Sequence, residues 1–412
     1  MSETVKYRAN AAFLLRLLAP FIVASLASVP AILVFTGQLH DAPLVDAGWY
    51  GLAIVSAAFM LGWVGEAAEL DLSGGLSIGL IAVITILPEY VVSNVISFQA
   101  GTNSAMGALA TANLTGANRL LIGFGWPIVA ICGWIATRKS RASSGAKYRG
   151  IELEPQSKTD VAFMIWATVL SLLVPIMASI NLLLGVFMIV LFVSYLWRVS
   201  QQENEEPELH GTAAYVGALP KVGRRVFLVL IAAIASGLIL IAADPFTEKL
   251  IEGGHELGWN QYLLIQWITP LASEAPEFTL AFLFALRGKA QVALAVLISS
   301  KVNQWSVLTG SLPISYVLGG GQGGGLPLDA NSVAEFNLTI AQSILGIALV
   351  LGMRVGWAES LWLLGTFVAS FVFTDLQSRD WIAVLCLAVA VPYFVRYRNL
   401  VWDVAKTPLK AR

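Results

Sequence analysis

Two stretches, ITILPEYVVSNVISF (84–98) and ITPLASEAPEFTLAFLFAL (268–286), decide how this chain folds. Each is an apolar run with one Pro-Glu pair inside it, Pro88-Glu89 in the first and Pro276-Glu277 in the second. Neither alternates polar and apolar residues at period two, so each reads as a helix, interrupted where proline lacks its N–H. A helix apolar all round needs apolar surroundings. A charge at the centre of a bilayer costs about 2.5–3.5 kcal/mol, so such a glutamate faces a bundle interior or a wet pathway rather than lipid.

The rest of the sequence is of the same kind. Of 412 residues, 57% are hydrophobic and 12% charged, against roughly 25% charged in soluble domains. So few charges cannot cover a water-soluble protein of this size, and lipid admits only helices or closed barrels. The apolar runs are about 20 residues long, which selects helices. Hydropathy predicts about twelve spans, near 11–36, 48–67, 77–99, 106–136, 161–177, 179–197, 225–243, 259–286, 290–315, 335–353, 357–373 and 380–396. The run from Ala11 is too long for a signal-peptide core and reads as a retained helix. The 106–136 run is long enough to contain a break.

Lys and Arg fall in alternate loops: 138–149, 221–225, 287–289, Arg354 and the tail from Arg396. The positive-inside rule puts these loops and both termini in the cytoplasm. Intervening loops hold Asp41 and Asp46, then Asp244, Glu248, Glu252 and Glu256, then a glycine-rich stretch at 318–332 that reads as a flexible outer loop. The segment 200–224, acidic and then basic, reads as a solvated cytoplasmic linker. Glu66, Glu69, Asp71, Glu335 and Glu359 lie near predicted span ends and read as interfacial acids.

The two deciding stretches belong to an internal repeat. ALATANLTGANRLLIGFG (108–125) follows the first and ALAVLISSKVNQWSVLTG (293–310) the second. Thr115 matches Ser300 and Asn118 matches Asn303, at a constant offset of 185 positions, and the Pro-Glu pairs are offset by 188. By the charge bias, the two Pro-Glu helices cross the membrane in opposite senses. Inverted repeats with proline-interrupted helices in matching places point to the substrate site of a secondary transporter.

Thr85 lies four residues before Glu89, and Ser273 four before Glu277, so each hydroxyl shares a helix face with its carboxylate. Carboxylate, hydroxyl and freed backbone carbonyl form an oxygen set suited to a hard cation. The pairs Thr115/Asn118 and Ser300/Asn303, spaced by three, extend that set. Small polar residues also act as packing glue between membrane helices, and that reading stays open for them.

At these residues the chain resembles the sodium/calcium exchangers of the calcium/cation antiporter superfamily. Their repeats carry a G-T-S-L-P-E type motif, here TILPE (85–89) and ASEAPE (272–277). One helix later comes a G-N-x-x-G-S-N type motif, here ATANLTGAN (110–118) and AVLISSKVN (295–303). The resemblance implies a ten-helix core with a midplane site between the repeats. Glu89 and Glu277 would be the central metal ligands, with Thr85, Ser273, Thr115, Asn118, Ser300 and Asn303 as further cation-binding residues. The expected fold is an all-α polytopic membrane protein with about twelve transmembrane helices. An extra helix (11–36) precedes a first five-helix repeat (48–199). The linker (200–224), an inverted second repeat (225–374) and a further helix (380–397) follow.

The chain departs from that pattern at Arg119, Gln304 and Lys301, and Glu274 adds an acid three residues before Glu277. Three readings of these site-tuning charges are open. Arg119 and Lys301 pair with acids and fix the fold, since unpaired buried charge is costly. Alternatively, a fixed cation replaces a transported Na⁺, or Lys301 titrates and protons become the coupling ion.

The expected function is secondary active antiport of Ca²⁺ against Na⁺ or H⁺ by alternating access. The alternatives are a monovalent Na⁺/H⁺ exchanger on the same fold, or a channel or non-transporting scaffold. An enzyme is not expected: His40, His210 and His255 all lie in predicted loops, and HExxH is absent. No cofactor is expected beyond the transported ions. The partners are those cations and the bilayer, not nucleic acid, at a net charge of −1. The expected location is the cell membrane.

Overall fold

The computed structural model describes residues 11–68, 70–71, 87–144, 150–201, 209 and 211–409. Among them eight helices are long and apolar enough to cross a membrane. In chain order the elements are α1 (Ala11–Ala27), α2 (Val29–Phe35), α3 (Pro43–Ala68), α4 (Leu87–Ala100) and α5 (Ala105–Leu120), which runs through a π-turn, Leu121–Gly125, into α6 (Trp126–Ser144). Then come β1 (Ile151–Glu152), α7 (Ser157–Ser171), α8 (Leu173–Met177), β2 (Ser179–Asn181), α9 (Leu182–Val199), α10 (Thr212–Gly217), α11 (Lys221–Glu256), α12 (Gln261–Ser273) and α13 (Ala275–Leu286). The chain continues with α14 (Ala290–Asn303), a second π-turn (Gln304–Leu308), α15 (Thr309–Leu318), β3 (Gly325–Pro327), α16 (Ala330–Val350), β4 (Arg354–Val355), α17 (Trp357–Val372), α18 (Leu376–Arg396) and α19 (Arg398–Ala405).

The chain divides into two units, Met1–Val95 with Val199–Pro276, and Ile96–Arg198 with Glu277–Arg412. In the first unit α3 packs along α11. Phe13, Leu17 and Phe21 of α1 close the core over Met60, Leu61 and Val64 of α3 and Leu228 and Ile239 of α11. Phe21 meets Trp63 and Phe227 edge to face, both at 5.2 Å. α11 does not end near residue 243, and the acidic loop expected from Asp244 is helix to Glu256. The apolar stripe explains this: Ile239, Ala242, Phe246, Leu250 and Gly253 stay buried at spacings of three and four. Hydropathy falls because charge appears on the exposed side, where Lys249 pairs with Glu252 at 2.7 Å.

In the second unit α16 packs against α18 and α5. The glycine-rich loop is more ordered than expected. Its end forms β3, antiparallel to β2, with Ile180 opposite Leu326 and Asn181 opposite Gly325. Gly320, Gly323 and Gly324 turn the chain there at φ of 96°, 80° and 75°, a region that favours glycine. Gly185 of α9 and Gly310 of α15 cross at close range: a Cβ on Gly310 would lie 2.6 Å from the Gly185 carbonyl oxygen. The sequence expected one span over 259–286. Two helices occupy it, separated at Glu274, where Pro276 cannot return an N–H to the preceding turn.

Candidate cation-binding site

The second unit brings both motifs of the second repeat together. Glu277 stands in the first turn of α13 and is half-buried. Ser300 of α14 donates its hydroxyl to Glu277 Oε2 at 2.8 Å. The next residue on α14 is Lys301, fully buried, about 100° further round the helix. Its ammonium donates to Asn118 Oδ1 of α5 at 2.5 Å and lies 4.2 Å from the centroid of the Trp305 ring. A carboxamide oxygen and an aromatic face together replace part of the water that an ammonium loses on burial.

Asn118 is wholly buried, and its own Nδ2 donates to Leu114 O at 2.8 Å. The oxygen expected to face a transported cation is therefore already engaged by a resident one. Thr115, also buried, turns its hydroxyl proton onto Thr111 O at 2.8 Å within its own helix. Its oxygen retains lone pairs for another donor or a cation. Asn303 is buried at the end of α14.

Arg119 is one residue from Asn118 but has a different partner. It lies 2.5 Å from Glu335 Oε2, and Arg379 of α18 lies 2.8 Å from Glu335 Oε1. All three are at most 4% exposed. Glu335 is therefore not an interfacial, solvated acid as the sequence predicted. It sits between two guanidinium groups and ties α5, α16 and α18 together. Arg119 thus stands against an acid of α16. The overlooked signal was a polar stripe on α16: Ser332, Glu335, Thr339 and Gln342 recur at spacings of three and four and are all buried. At its start Ser332 meets the Thr111 hydroxyl at 2.8 Å.

In the first unit Glu89 is buried at 4% exposure in the first turn of α4. Thr85, its expected neighbour, lies outside the described residues. Ser273 and Glu274 are buried at the end of α12. The Ser273 hydroxyl is shared between Thr269 O and Pro270 O at 3.2 and 3.3 Å, inside its own helix. Asp71, expected at a solvated interface, is held by Arg224 at 2.6 Å and Arg225 at 3.1 Å. The Arg224 hydrogen bond keeps its carboxyl below the usual carboxylate range against the opposing effect of burial.

The model of the family described as "sodium/calcium exchanger protein" matches residues 47–201 and 227–374. A solved structure of the H⁺/Ca²⁺ exchanger CAX is 31% identical in sequence, covers 94% of this chain and 96% of its own, and superposes with a TM-score of 0.89. Native YfkE is 16% identical, over 89% of this chain and 99% of its own, with a TM-score of 0.60. The sodium-calcium exchanger NCX_Mj is 13% identical, over 80% and 98%, with a TM-score of 0.53. At those identities the last two show a shared fold alone. No curated protein matches the chain.

Proposed function

The chain belongs to the sodium/calcium exchanger protein family, and from that premise we propose that it is a secondary antiporter that exchanges Ca²⁺ for H⁺. The observation that carries this reading is the hydrogen bond from Ser300 to Glu277. It joins the Pro-Glu motif to the following helix through the oxygen types a hard cation takes. Glu89 and Glu277 would be the carboxylates that alternate between holding Ca²⁺ and holding a proton. Ser273, Thr115 and Ser300 would add hydroxyl oxygens, with Thr85 and Asn303 as further donors. The reaction is competitive occupancy followed by alternating access, without covalent chemistry. Cell-membrane location and cytoplasmic termini belong to the same proposal.

Two observations favour H⁺ over Na⁺ as the counter-ion. Lys301 already places a cation on Asn118 Oδ1, an oxygen that Na⁺ would otherwise take. The 31%-identical relative is an H⁺/Ca²⁺ exchanger. Reconstitution in liposomes tests the reading: ⁴⁵Ca²⁺ uptake is expected under an imposed pH gradient and not under a Na⁺ gradient. Glu89→Gln and Glu277→Gln should each abolish it. Uptake driven by Na⁺ alone would overturn proton coupling. No Ca²⁺ flux under either gradient, with folded protein, would overturn the calcium assignment.

A further inference from the structure

Three consecutive residues of α14 each hold a different helix of the second unit. Ser299 meets the Tyr195 phenol of α9 at 2.7 Å, Ser300 donates to Glu277 Oε2 of α13 at 2.8 Å, and Lys301 donates to Asn118 Oδ1 of α5 at 2.5 Å. Successive side chains leave a helix about 100° apart. Ser299 and Lys301 therefore project to either side of Ser300, and the three bonds together span about 200° of the helix surface. Turning α14 about its axis, in either sense, strains both flanking bonds at once.

The Ser299 side of this hold is itself anchored. Tyr195 donates its phenol proton to Asp160 Oδ1 of α7 at 2.9 Å. With that proton committed, Ser299 is the donor in the bond between the two hydroxyls. Tyr195 is 4% exposed, and its ring packs on Phe163 and Phe192 at centroid distances of 5.3 and 5.9 Å. The packing fixes the ring, and the ring fixes where its oxygen stands. Asp160 is half-buried on α7, the helix that packs along α14.

We propose that Tyr195 is a positioning residue for the cation site: through Ser299 it sets the rotation of α14 and so places the Ser300 hydroxyl on Glu277. This rests on the reading of Glu277 and Ser300 as cation ligands; Tyr195 and Asp160 act on the ion only through them. A serine hydroxyl stands roughly 4 Å from its helix axis, so a turn of about 20° displaces it by more than about 1 Å. The 2.8 Å bond to Glu277 does not survive such a displacement. Nor does a Ca²⁺ site, whose oxygens stand about 2.3–2.6 Å from the ion. A looser set of oxygens penalises Ca²⁺ more than the larger Sr²⁺. The row from Ser299 to Asp160 therefore sets affinity and size selectivity at a site it does not line. What it needs from Asp160 is an acceptor oxygen, not a charge.

Tyr195→Phe removes only the hydroxyl and keeps the ring. The assay is initial ⁴⁵Ca²⁺ uptake into liposomes, under the gradient that drives the unmodified protein, over a range of Ca²⁺ concentrations and again with Sr²⁺ as competitor. In Tyr195→Phe and in Ser299→Ala the KM for Ca²⁺ should rise about tenfold, the effect of one hydrogen bond to a charged group. The kcat should stay within about twofold, as when binding alone is lost, and the preference for Ca²⁺ over Sr²⁺ should fall. The double variant should be no worse than either single one, since both break the same bond. Asp160→Asn retains an oxygen that accepts from the phenol and should keep a KM near the unmodified value, whereas Asp160→Leu should resemble Tyr195→Phe. An unchanged KM in folded Tyr195→Phe would overturn the positioning role. So would a loss of turnover at unchanged KM and unchanged selectivity, which is what general loosening of the fold produces. The calcium reading of the site fails separately, if the unmodified protein takes up no Ca²⁺ under either gradient.

Discussion

Removing the Glu335 carboxylate should cost the second unit far more stability than removing an acid near a span end, such as Glu359. Glu335 is 1% exposed and has a guanidinium within 2.8 Å of each oxygen, Arg119 on one side and Arg379 on the other. Glu335→Gln keeps the size of the side chain and leaves two buried cations without their shared counter-charge. Removing one partner of a buried pair costs about 3–5 kcal/mol, which corresponds to roughly 10 °C in unfolding midpoint for a domain of this size. The assay is fluorescence-detected thermal unfolding in detergent, run beside Glu359→Gln. A double-mutant cycle with Arg379→Met isolates the coupling, because the doubly changed protein buries one cation fewer and should recover part of the loss. A Glu335→Gln midpoint within about 2 °C of the unmodified protein would refute the reasoning, since a shift that small corresponds to under about 1 kcal/mol.

Lys301→Gln should make Ca²⁺ uptake sensitive to added Na⁺, because Asn118 Oδ1 would no longer carry an ammonium; unchanged insensitivity in a folded variant would remove that support for proton coupling. Gly310→Ala should lower the yield of folded protein, since its Cβ would stand 2.6 Å from the Gly185 carbonyl oxygen, whereas Gly237→Ala, with nothing within 4 Å, should be tolerated. For Asp71 the sign follows from its lowered carboxyl: the stabilisation is present at neutral pH and is lost as pH falls through the folded-state value. Asp71→Asn should therefore unfold at a lower temperature than the unmodified protein at neutral pH, with the two curves converging in acid. Parallel curves at every pH would show that the contact with Arg224 does not titrate.

The membrane-spanning character and the repeats were legible because apolar run length and the Pro-Glu pairs are properties of sequence alone. The pairing of Ser300 with Glu277 was legible as membership of one oxygen set, though not as a contact. What hydropathy could not resolve is the difference between a charge at a span end and a charge in a helix that continues. Averaged over a window, Glu335 and Asp244 look alike. One is sealed between two arginines and the other stands on a helix that runs on to Glu256. Periodicity within the helix separates them, because polar residues recur at spacings of three and four on α16 while apolar ones do so on α11.

The second motif of each repeat is followed by a departure from α-helical geometry. A π-turn begins three residues after Asn118 and another one residue after Asn303. In the second, the Thr309 hydroxyl donates to Gln304 O at 2.8 Å, five residues back. A π-turn inserts a residue into the helical repeat and rotates everything beyond it relative to everything before. The motif residues and the chain that follows therefore do not share one periodic face, and a reading at 3.6 residues per turn loses phase at that point. Trp305 shows what the rotation achieves. It lies inside the second π-turn, fully buried, with its ring under the Lys301 ammonium and stacked on Phe336 at 5.8 Å. Identical residues are few between the two motifs, yet each is followed by the same departure from α-helical geometry. The repeat is thus better preserved in backbone than in side chains, which leaves individual positions such as Gly116 in one copy and Lys301 in the other free to diverge in charge.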